Sequence, residues 1–71
     1  MNIYEELALR TKIGNHKQAI VRLEYRLERL QDPEFIAENS TEISLCELAL
    51  AKEKGRLRAA EEVLAQSIVN R

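Results

Sequence analysis

Apolar residues recur at alternating steps of four and three through the first half of the chain: Leu9, Ile13, Ile20, Leu23, Leu27 and Leu30, with His16 holding the place between Ile13 and Ile20. That spacing is the a/d seam of a heptad pattern, and such a seam needs a second seam to pack against. The other half of the chain carries one. Ile43, Cys46, Leu50, Leu57, Ala60 and Leu64 follow the same steps, with Glu53 set among them, and the one proline, Pro33, lies between the halves. The pattern predicts an all-α fold, an antiparallel, coiled-coil-like helical hairpin with one polar residue, His16 or Glu53, on each seam.

Punctuation along the chain supplies the boundaries. Asn2 followed by Glu5 has the form of a capping box, with a further acid at Glu6, so the first helix is expected to begin at about residue 3. It runs to about residue 31, continuous or slightly bent at Gly14-Asn15, because the seam keeps its phase across that pair. Asp32-Pro33 stops it and suits one short helical turn from Asp32 to Glu38. A second capping box, Asn39 to Glu42, opens a helix spanning about residues 40–69. The chain, residues 1–71, is thus expected to be a single helical-hairpin domain with its connection at about residues 32–39.

The apolar stripe is wider than a two-stranded seam requires. Ile3, Leu7 and Val21 on the first helix, and Leu45, Leu48, Val63, Ile68 and Val69 on the second, fall off or beside the seam. A stripe of that width suits a bundle. Two hairpins pairing into a four-helix bundle would bury it; alternatively Phe35 and Ile36 fold back over Leu45 and Leu48 within one chain. A chain of 71 residues has little core of its own, and the lone Cys46 leaves no internal disulfide, so homodimerisation is favoured. The expected oligomer interface is Leu9, Ile13, Ile20, Leu23, Leu27, Leu30, Ile43, Leu50, Leu57 and Leu64.

How the seams align is less constrained. If facing residue numbers sum to about 73, Glu53 lies one turn from His16; at about 76, His16 faces Ala60 and Glu53 faces Leu23. Flanking charges favour a sum near about 78, setting Lys17 near Glu61 and Glu24 near Lys54 and leaving His16 and Glu53 to tilt separately towards solvent.

For function, the residues exclude more than they assign. No glycine-rich phosphate loop, paired metal-ligand motif or nucleophile with an evident base is present, so neither an enzyme nor a cofactor is expected. Cys46 on its seam is a small buried hydrophobe, and the acids Asp32, Glu34, Glu38 and Glu42 form a solvated tip, lacking the spacing and turn glycine of a calcium loop. No window is apolar enough to span a membrane, and Glu5 and Glu6 stand where a signal peptide would be basic then apolar, so a cytoplasmic location is expected. Arg10, Lys17, Arg22, Arg26 and Arg29 would carry any contact with RNA or DNA. Glu24 and Glu28 sit among them and the formal net charge is −1, so a solvated charged surface is the default.

The segment Arg26-Leu27-Glu28-Arg29-Leu30-Gln31-Asp32-Pro33-Glu34-Phe35-Ile36-Ala37 resembles the tip of the helical-hairpin arms of valyl-tRNA synthetases, which also run from leucine heptads into a short Phe-containing turn. The resemblance covers the hairpin end alone and implies hairpin geometry and contact with RNA. In architecture the chain is also similar to small plasmid RNA-regulator proteins that dimerise as helical hairpins. The expected role is that of a non-enzymatic, self-associating protein–protein interaction or regulatory module, of the kind phages and plasmids encode; the alternative is a nucleic-acid-binding hairpin.

Overall fold

The computed structural model describes residues 1–69 and contains two helices, α1 (Ile3–Leu30) and α2 (Ser40–Val69), packed against each other. Local chemistry sets the start of α1 where the sequence places it. The Asn2 side-chain oxygen accepts the Glu5 backbone N–H at 2.8 Å, and the Asn2 amide donates to Glu5 Oε1 at 3.2 Å. Glu5 and Glu6 occupy the first turn, at the positive end of the helix dipole. The helix passes unbroken through Gly14. A continuous helix keeps Ile13 and Ile20 on one seam, which outweighs the cost of about 1 kcal/mol for a helical glycine.

The connection is a run of hydrogen-bonded turns, and the single turn expected after Asp32 does not extend into a regular helix. After α1 ends, Asp32 accepts two backbone N–H groups, from Glu34 on its side chain at 3.0 Å and from Phe35 on its carbonyl at 2.9 Å. Asn39 differs from expectation as well. Its carbonyl accepts the Ile43 N–H at 2.8 Å, the first bond leading into α2, but its side-chain amide donates to the Leu30 carbonyl at 3.2 Å. The residue expected to pair with Glu42 therefore closes one of the open carbonyls at the end of α1. Glu42 reaches across to Arg26 at 3.8 Å. Both of those side chains are exposed, and such a pair contributes about 1 kcal/mol at most.

The hairpin is a rod of 53 × 14 × 13 Å with a radius of gyration of 16.1 Å. A compact chain of this length would have about 11 Å. A rod has little interior, and among the described residues only Ile13, Cys46 and Ala60 are buried apolar side chains. Every other predicted seam position is half-buried, from Leu9 and His16 to Leu57 and Leu64. Phe35 and Ile36 are themselves exposed, and Leu45 and Leu48 remain 62 % and 53 % exposed. Folding back of the tip over these leucines does not occur.

The register also departs from the one the flanking charges favoured. Short contacts join His16 to Glu53, Leu23 to Cys46 and Leu30 to Asn39 across the helices, sums of about 69. This lies beside the layering near about 73, in which Glu53 sits one turn from His16, and excludes the alignments near about 76 and about 78. The physical reason is the connection. Asn39 is tied to Leu30, so α2 starts level with the end of α1, and exposed pairs such as Lys17 with Glu61 are too weak to pull it further.

Candidate functional site

The polar residues of the two seams meet. His16 Nδ1 lies 2.7 Å from Glu53 Oε2, with side-chain exposures of only 19 % and 17 %. An ionised carboxylate only accepts hydrogen bonds, so the Nδ1–H group is the donor in this contact. The other carboxylate oxygen, Oε1, accepts from Arg56 Nη1 at 2.9 Å, one turn along α2. The hydrogen bond from His16 holds the Glu53 carboxyl below the ordinary glutamate value; partial burial opposes this, and Arg56 adds to it. The expected arrangement, with each side chain tilted separately to solvent, is thus replaced by a closed contact across the hairpin.

Two further seam residues do more than fill space. Cys46 is buried as expected, and its thiol additionally donates to the Leu23 carbonyl at 3.3 Å. Glu6 is 7 % exposed and accepts from Arg10 Nη2 at 3.0 Å. Glu6 is expected from sequence only as a first-turn acid, yet its burial is also written there. It stands three residues before Leu9, in phase with the seam, and an acid in phase at a helix start is a buried polar position in waiting.

The ten apolar residues expected at an oligomer interface (Leu9, Ile13, Ile20, Leu23, Leu27, Leu30, Ile43, Leu50, Leu57 and Leu64) all lie on the seam between the two helices of one chain. The five expected nucleic-acid contacts do not form one group. Arg10 and Lys17 line a shallow groove on one side of the rod with Gly14, Glu61, Ala65 and Ile68. Arg26 and Arg29 line a groove on the other side with Tyr25 and Glu42; the Arg29 guanidinium sits 5.8 Å from the Tyr25 ring centre. Further along that second side, Lys12 and Arg56 line a groove with His16, Ala59 and Val63.

Heptad spacing extends this division to the rest of each helix. The side of Gly14 and Ala65 carries Leu7, Val21 and Ala51, with four bases (Arg10, Lys17, Lys54, Arg58) and four acids (Glu24, Glu28, Glu47, Glu61). The side of Lys12 and Arg56 carries six bases (Lys12, Arg22, Arg26, Arg29, Lys52, Arg56) and two acids (Glu5, Glu42). The chain's near-zero net charge hides a neutral side and a basic side.

Among the described residues no three His, Cys, Asp or Glu are grouped to hold a metal ion, and no helix is long and apolar enough to cross a membrane. Comparison with family models, with curated proteins and with solved structures returned no match.

Proposed function

We propose that this chain is a non-enzymatic, self-associating interaction module, in which two hairpins pair into a four-helix bundle whose outer surface serves a protein partner. One observation carries the reading. Leu7, Val21 and Ile68 are exposed on a rod too thin to cover them, as are Leu45 and Leu48, which the tip residues leave uncovered. Exposed apolar side chains spread along two faces of so small a chain favour association, because each buried Å² contributes about 25 cal/mol. The test is thermal unfolding over a hundredfold range of protein concentration. A dimer gives a Tm that climbs with concentration, since mass action favours the associated state. A concentration-independent Tm contradicts the reading.

The segregation of charge supports a second reading, a nucleic-acid-binding hairpin. Its face would be the basic side, with Arg22, Arg26 and Arg29 joined by Lys12, Lys52 and Arg56; Arg10 and Lys17 stand on the other side. Against it, Arg26 and Arg56 are engaged with Glu42 and Glu53. Expected is the absence of meaningful RNA or duplex-DNA binding near physiological salt. Submicromolar binding, weakening steeply with salt and abolished by Arg22→Glu with Arg26→Glu, would put this reading first.

A further inference from the structure

We infer that the neutral side of the rod is the self-association surface, and that a second copy of this chain docks on it running antiparallel, about a two-fold axis level with Ile20. The inference rests on the self-association reading above and assigns its face, orientation and register.

Charge separates along this side as well as between sides. From the contacts of His16 with Glu53 and Leu23 with Cys46, Lys54 stands level with about residue 15 of α1, Arg58 with about residue 11 and Glu47 with about residue 22. Arg10, Arg58, Lys54 and Lys17 therefore occupy the half nearer the chain termini. Glu47, Glu24 and Glu28 occupy the half nearer the connection. Glu61 is the one acid in the basic half, and it shares its groove with Arg10 and Lys17.

A two-fold axis perpendicular to the rod exchanges the two halves. It lays each helix along its own copy and sets Lys17 opposite the partner's Glu24, within about one residue of level, and Lys54 within about three residues, or about 4.5 Å, of the partner's Glu47. Val21 falls within about two residues of the partner's Val21, placing an apolar contact at the centre. Leu7, exposed near the open end, comes level with the partner's connection. A parallel pairing puts base on base and acid on acid. Pairing through the other side brings six bases and two acids of each chain together, and like charges facing each other suppress that arrangement.

Size and shape agree. A strip 53 Å long and about 14 Å wide offers on the order of 700 Å² per chain, close to the half-interface of a standard stable complex. Gly14 and Ala51 keep the strip low near the axis, and an added Cβ at Gly14 meets nothing within 4 Å, so the surface is open to close approach.

A charge-swap experiment on the full chain tests this. One variant carries Lys17→Glu and Lys54→Glu; the other carries Glu24→Lys and Glu47→Lys. Each alone places like charges across the axis and should raise the dimer Kd roughly tenfold or more at low salt. Mixed one to one, they should form a heterodimer at least as tight as wild type, with the preference shrinking as salt rises. Recovery on mixing also shows that both variants still fold. If the wild type dimerises while both variants dimerise equally well and show no preference on mixing, the face and orientation are wrong and self-association stands. If the wild type is monomeric throughout, the self-association reading itself is lost. Val21→Glu and Leu45→Glu provide the independent comparison: the first should abolish the dimer and the second leave it, and the reverse result overturns the assignment.

Discussion

His16 and Glu53 stand 37 positions apart in the chain and 2.7 Å apart in space, the one place where both seams give up an apolar residue at the same level. A polar pair inside a heptad seam costs stability relative to two leucines but fits only one alignment of the helices. Neighbouring layers would bring Glu53 against Ile20 or Leu23 and leave its carboxylate without its histidine.

Replacing both residues by Leu should therefore raise the stability of the hairpin above that of wild type, whereas the single changes each strand a partner. His16→Leu is the milder of the two, because Glu53 retains Arg56. Urea unfolding of the four species of this double-mutant cycle should show the double variant more stable than the sum of the single effects. Strict additivity would show that the contact carries no coupling.

Acid should weaken the same contact. The bond from His16 favours the ionised form of Glu53, so its folded pKa lies below the unfolded value. The folded state then holds that proton less readily than the unfolded state. The stability it contributes is complete above the unfolded value of about 4.3 and is lost as pH falls through the lower folded value. Unfolding free energy measured from about pH 5 to about pH 2.5 should fall less steeply for Glu53→Gln than for wild type. Equal slopes would contradict the assignment.

Much of this fold is legible in the sequence because it follows from period and punctuation. The seams, the start of α1 at Asn2 and the extent of α2 all reduce to spacing and capping chemistry within a few residues. The register is not legible in that way. A seam repeating every three or four residues stays apolar when shifted by one layer, and charged pairs on its flanks differ between alignments by less than the tether from Asn39 to Leu30 decides. Asn39 itself shows the limit: its sequence context is that of a cap for the helix it begins, and the partner it takes is a carbonyl nine residues earlier.

Core substitutions should sort by burial. Ile13 is buried and Leu23 half-buried in one hairpin. Ile13→Ala should cost about 3 kcal/mol and Leu23→Ala about 2 kcal/mol, read from chemical denaturation. An effect below about 0.5 kcal/mol at Ile13 would mean that the seam is not the core.

Gly55 sits in α2 with nothing within 4 Å of an added Cβ. Gly55→Ala should then stabilise the helix by about 0.4–1 kcal/mol, through helix propensity and a less free unfolded chain. A destabilised variant would reveal a close neighbour at that position.

The central claim is that a second copy covers the apolar side chains exposed along the neutral side of the rod. Sedimentation equilibrium of the wild-type chain at micromolar concentration tests it most directly. The account predicts twice the chain mass of 8.2 kDa. A stable, folded species at the mass of one chain, unchanged as concentration rises, would contradict it.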